Sequence, residues 1–172
     1  MLTITVDIVL GVVVTGVFAL VVRRTTRWMG FYLFVPTVLV WTHVVGNALQ
    51  ELKIGSAWVQ AHLHDVGVAT CILPGALAYG SYRWQRSHPG RAFRTSPDFA
   101  RALMRSTLIG HLVGTLGCIA YKVGQITVFR EESLAKGYSG DLDIGDSAAF
   151  VVGFLVMLAN YVVMSRVVSR KM

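Results

Sequence analysis

A chain of 172 residues is long enough for one compact domain, yet 54% of this one is hydrophobic and only 15% is charged. Soluble domains carry about 25% charged residues, so this composition, with a mean hydropathy of +0.58, points to a membrane protein and excludes a disordered chain. Two cysteines exclude a disulfide scaffold, and the net charge of +7 leaves nucleic acid to be judged from where the charges fall.

Five stretches are predicted to cross a bilayer: 2–22, 29–49, 66–82, 103–123 and 147–165. Each is close to the ~20 residues that span the hydrocarbon core as a helix. Together they leave no room for a soluble domain. The predicted fold is an all-α integral membrane protein, a single transmembrane domain built as a five-helix bundle. The first stretch reads as a span rather than a cleaved signal, because its basic residues Arg23, Arg24 and Arg27 follow the apolar run instead of preceding it. Between the third and fourth spans, His88-Pro89-Gly90 reads as a turn. Ser96-Pro97-Asp98 then opens a helix, with Ser96 as N-cap, and Phe99, Leu103 and Met104 recur at helical spacing. This segment is expected to lie along the headgroups before turning into the fourth span.

Orientation follows from the loops. Twelve of the sixteen basic residues fall in three blocks: after the first span, between the third and fourth, and at the carboxyl end. Asp98 is the one acid among them. The opposite loops hold Lys53, Lys122, Arg130 and Lys136 with the other eight acids. Positive residues stay cytoplasmic, which puts the amino terminus outside and the carboxyl terminus inside. Trp28, Tyr32, Tyr79, Tyr82 and Trp84 fall where inner-interface anchors are expected. The charge surplus is thus accounted for by topology and contact with anionic membrane lipids. Nucleic acid is not an expected partner, since no soluble scaffold is left to present a basic face.

With depth assigned, polar residues gather at the outer rim. His43, Asn47 and Glu51 repeat at i, i+4, i+8 and share one face of the second helix, with Gln50 beside them. The third span is entered through His62-Leu63-His64-Asp65, the fourth leaves with Lys122 and Gln125, and the fifth is entered after Asp143 and Asp146. Glu51, Asp65, Asp146 and His64 are the candidate acid–base residues. His43, Asn47, Gln50, His62, Lys122 and Gln125 are the candidate ligand-binding residues. Intramembrane polar groups are costly and face a bundle interior or a wet cavity. The structural alternative is that Asp65 and Asp146 cap helices while Glu51 pairs with Lys53 or Lys122.

His62 and His64 with nearby carboxylates raise a metal reading. On a helix, however, residues two apart point to different faces, so no metal or other cofactor is assigned. His111 is expected to hydrogen-bond Asn160 across two helices. Cys71 and Cys118 are expected to pack as small hydrophobes. Gly110 and Gly114, with Gly117 close by, read as a close-packing helix face.

The segment leading to Gln50 and resuming at Asp65 echoes the one leading to Gln125 and resuming at Asp146: a helix ending in Gln, a loop, then Asp opening a helix. The second of these, through Gln125, Asp146 and Gly153, resembles the VanZ-like small bacterial membrane proteins, and the first matches through Gln50, Glu51, Asp65 and Gly75. Ala149 and Phe150 stand where that family commonly carries a polar Asn. The resemblance implies a small envelope protein of the bacterial plasma membrane, in some cases linked to glycopeptide resistance.

Two functional readings follow. The first is an outward-facing polar cavity that binds a lipid or lipophilic small molecule. The second is an intramembrane enzyme using carboxylate and histidine acid–base chemistry on a lipid-linked or isoprenoid substrate. A transporter subunit is third, and at this size it calls for a homo-oligomer.

Overall fold

The computed structural model describes residues 2–25, 27–89, 96–131 and 144–170, and every regular element in them is helical. In chain order these are α1 (Leu2–Arg24), α2 (Arg27–Leu52), α3 (Ala57–Val68), a 3-10 turn (Ala69–Ile72), α4 (Leu73–Ser87), α5 (Pro97–Ile126) and α6 (Ile144–Arg170). Among the described residues, four stretches are long and apolar enough to cross a membrane: Ile4–Arg23, Trp28–Leu52, Pro97–Ile126 and Ile144–Val168. Their outward faces are apolar too. Phe31, Phe34, Val113 and Val163 are all more than half exposed, as expected of surfaces that meet lipid rather than water.

The predicted third span is divided. Pro74 has no N–H to give the carbonyl of Thr70, and its ring crowds that carbonyl. The Thr70 carbonyl instead accepts from the N–H of Leu73, three residues on, and the helix tightens to 3-10 geometry there. The helix also begins earlier than the apolar run suggests. Ser56 caps α3, its Oγ accepting from the Val59 N–H at 3.4 Å, which places Asp65 in mid-helix and removes it from the capping role. Asp146 sits in the first turn of α6 with its carboxylate turned to other helices.

At the opposite end the capping expectation holds. Ser96 is extended (φ −76°, ψ 118°) and accepts from the Phe99 N–H, with Pro97 opening α5. The expected turn along the headgroups does not occur, because α5 is continuous from Pro97 to Ile126 and buries Phe99, Leu103 and Met104 in the core. Two expected interface anchors are core residues as well. Trp84 is buried, and Tyr32, 0% exposed, bonds Thr107 Oγ1 at 2.6 Å. Tyr79 and Tyr82 are exposed, as anchors would be. Gly90 and Asp143 lie outside the described residues.

The packing places α3 at the centre of the site. It lies against α2 on one side and α6 on another, while α4 packs along α5. Glycines permit this closeness: a Cβ on Gly67 would overlap the Leu39 carbonyl of α2, and one on Gly153 of α6 would overlap the Val66 carbonyl of α3. In a bilayer, where hydrophobic burial no longer drives helix association, such backbone contact supplies much of the packing energy. Gly110 and Gly114 behave as expected, facing Ala76 and Ala69.

Candidate functional site

Five helices bring polar side chains to one end of the bundle in two joined groups. The first group spans α1 and α2. Asn47 Nδ2 donates to Asp7 Oδ2 at 2.7 Å and lies 3.4 Å from His43 Nε2, while Asp7 Oδ1 is 3.9 Å from that same nitrogen. His43 Nδ1 is 2.9 Å from the carbonyl of His64. A carbonyl only accepts, so Nδ1 carries the proton, and in a neutral ring Nε2 would accept from Asn47. This bond ties α2 to the backbone of α3 and fixes the tautomer of His43.

The second group spans α3, α5 and α6. His62 Nδ1 donates to Asp146 Oδ1 at 2.8 Å, and Lys122 Nζ makes an ion pair with Asp146 Oδ2. Asp65 is 4% exposed. One oxygen of its carboxyl group lies within 4.8 Å of an Asp146 carboxylate oxygen and of a His62 ring nitrogen. Asp65 Oδ1 lies 3.3 Å from His64 Nε2. His64 Nδ1 is buried and bonds to nothing among the described residues. His62 and His64 do point apart, as a helix requires, but His62 and Asp65, three apart, converge.

His62, Asp65 and Asp146 each present one donor atom, all within 4.8 Å of one another and all buried. One imidazole and two carboxylates are a donor set that suits a divalent cation. In this chain the Lys122 ammonium already supplies positive charge to Asp146. The two aspartates of the echo noted in the sequence lie close together here, but they are not placed alike: Asp146 is in the first turn of α6 and Asp65 well inside α3.

Beside this cluster, between α3 and α5, a cavity of about 620 Å³ opens to the side. Its polar end is formed by His64, Asp65, Lys122 and Gln125, and its walls by apolar residues including Val68, Ile72, Val113 and Phe150. Gly117 lines it with open space where a Cβ would project, and Cys118 lines it as a free thiol.

The predicted rim residues therefore separate. His43, Asn47, His62, His64, Asp65, Lys122 and Asp146 join the network, and Gln125 joins the cavity wall. Gln50 and Glu51 are exposed at the end of α2 and do not line the cavity. Asp7 is the residue missed. It is 8% exposed and central to the first group, and it is the single charge within the apolar run of the first span, the signal that intramembrane acids give. The expected His111–Asn160 bond is absent. Asn160 Nδ2 donates to the Tyr32 carbonyl at 2.9 Å, and His111, fully buried, is stacked on Phe154 with neither ring nitrogen bonded among the described residues. Both side chains lie on the predicted spans, but α2 stands where Asn160 points.

No family model, no curated protein and no solved structure matches this chain.

Proposed function

We propose that this chain is a five-crossing protein of the bacterial plasma membrane, amino terminus outside, whose outer side cavity binds the polar head of a lipid or lipophilic small molecule. The observation that carries this reading is the cavity's two-part lining: apolar walls at membrane depth and a polar end of His64, Asp65, Lys122 and Gln125. Such a surface matches an amphiphile better than a wholly polar solute. The α3–turn–α4 run from Ala57 to Ser87 supplies the remaining crossing, and the loop charges set the orientation. A place among the VanZ-like proteins fits through Gln125, Asp146 and Gly153.

Gly117→Leu tests the cavity. The new side chain would enter open space, so the protein is expected to fold and insert normally while losing the lipophilic material that co-purifies with it, read by mass spectrometry of the detergent-extracted protein. Unchanged co-purification rejects the reading. A reporter within residues 136–141 is expected to read external and one after Met172 cytoplasmic. The reverse pattern overturns the orientation.

A second reading is favoured by His64. With Asp65 beside Nε2, the ring holds its proton there and presents an unprotonated Nδ1, the arrangement of a general base held by a carboxylate. An acid–base enzyme acting on the bound amphiphile would lose far more turnover than binding in His64→Gln, which keeps a polar side chain at the cavity's polar end.

A further inference from the structure

At the other end of the bundle a second cavity, of about 510 Å³, lies between α4 and α5. Arg83 and Ser87 of α4, Arg101, Arg105 and Ser106 of α5, and Tyr161 of α6 line it. Arg101 is paired with Asp98 at 2.9 Å on the exposed side. Among the described residues, no carboxylate stands within ion-pairing distance of Arg83 or Arg105. With no described carboxylate beside Arg83 or Arg105, this cavity presents a surplus of positive charge among the described residues, and guanidinium forks match phosphate oxygens in geometry as well as in sign.

A groove of about 500 Å³ continues from this cavity, sharing Arg83, Ser106 and Ile109 with it. Its walls are apolar and low, formed by Gly75, Ala76 and Tyr79 of α4 with Gly110 and Val113 of α5. A Cβ on Gly75 would meet no atom within 4 Å. From Ser106 to Val113 the groove follows α5 for about 10 Å at the helical rise. A free anion would use the first cavity and have no need of the second. A molecule with a phosphate at one end and hydrocarbon at the other uses both.

We propose that Arg83, Arg101 and Arg105 hold the phosphate of one anionic glycerophospholipid, whose acyl chain lies in the groove past Gly75 and Gly110. The groove adjoins the outer cavity, with Ile72 and Val113 lining both, but its arginines stand at the far end, and the proposal does not rest on the reading of that cavity. The arginines fix headgroup charge, and the groove fixes the requirement for a chain.

The test uses the full chain in nanodiscs of equal phosphatidylglycerol and phosphatidylcholine, followed by native mass spectrometry of the lipid that stays bound. The wild type is expected to retain phosphatidylglycerol over phosphatidylcholine. Each arginine replaced in Arg83→Gln and Arg105→Gln is expected to reduce that preference about fivefold. Gly75→Leu, which fills the groove, is expected to lower retention of both lipids while helical circular dichroism is unchanged. It carries the test alone should an arginine variant fail to fold. Excess inorganic phosphate is expected to leave the lipid in place. Equal retention of the two lipids by the wild type overturns the proposal, as does a preference that survives both arginine substitutions. Release by inorganic phosphate, or full retention in Gly75→Leu, reduces the site to one for a free anion and overturns it as well. Gly117→Leu in the outer cavity is expected to leave this retention unaltered, which keeps the two sites separable.

Discussion

Asp146 is met from three sides by His62, Lys122 and Asp65, whereas Arg83 and Arg105 border a cavity in which no described carboxylate reaches them. The first arrangement closes on itself. Each charge taken out of water has its partner inside the protein, at the price of several kcal/mol of desolvation per ion that the pairing must repay. The second arrangement stays open and is completed by something that comes from outside. The contrast teaches that a charged residue near a membrane span says little by itself. What matters is whether its counter-charge belongs to the same chain. At the closed end a polar ligand must compete with internal bonds, which favours selectivity over strength. At the open end attraction is unopposed and falls with ionic strength.

The sharpest way to break the contrast is to remove one charge from each end. Lys122→Met leaves Asp146 buried without its ammonium and is expected to cost about 3–5 kcal/mol, read as a fall in the thermal midpoint in detergent. Adding Asp146→Asn to that variant is expected to recover most of the loss. Arg105→Gln is expected to shift stability within about 0.5 kcal/mol, as a surface substitution does. Equal losses at the two ends would mean that the charge at the open end is satisfied internally too.

A second comparison lies within the outer end. Asp65→Asn removes charge and basicity from the centre of the network and is expected to reduce retention of the co-purifying lipophilic molecule at least about tenfold, a change of about 1.4 kcal/mol. Glu51→Gln, on an exposed position beyond the cavity, is expected to be silent in the same assay. Loss in Glu51→Gln with retention in Asp65→Asn would move the site to the loop.

The smallest effect belongs to the middle of the bundle, where neither end reaches. Asn160→Ala removes one interhelical hydrogen bond and is expected to cost about 0.6 kcal/mol. His111→Phe keeps the ring against Phe154 and removes two nitrogens that bond to nothing among the described residues, so it is expected to be neutral or stabilising. The two effects are expected to add in a double-mutant cycle. Coupling between them would show that the two side chains communicate.

Hydropathy and loop charge were enough to identify an all-helical chain with long apolar helices, and Ser96-Pro97-Asp98 was legible as a helix start because the cap is encoded in three adjacent residues. The meeting of polar residues at one end was legible from depth alone. Depth does not give azimuth, however. With the span taken to begin at residue 66 and Asp65 read as its cap, only His62 and His64 were compared on a helix, and the face that His62 shares with Asp65 was hidden because Ser56, ten residues upstream, is the true cap. The same gap explains Tyr32 and Trp84. Aromatic residues at interface depth are anchors only on the lipid-facing side, and both of these point inward. Asp7 was visible as a charge in an apolar run, but its partner Asn47 is 40 residues away, and no local pattern links them.

Gly67 and Gly153 hold α3 so near its neighbours that the carbonyls of Leu39 and Val66 occupy the space where side chains would grow. In a saturation-mutagenesis survey, the steepest intolerance is therefore expected at these two positions and at Gly46, whose Cβ would overlap the His64 backbone, none of which carries a functional group. Even Ala at any of them would wedge α3 outward, drawing His62 from Asp146 or the His64 carbonyl from His43. Conservative changes among the acids themselves would be survivable by comparison. The spacing of this site is set by absent atoms, and a census of its chemically active side chains would overlook the residues that hold it to tolerance.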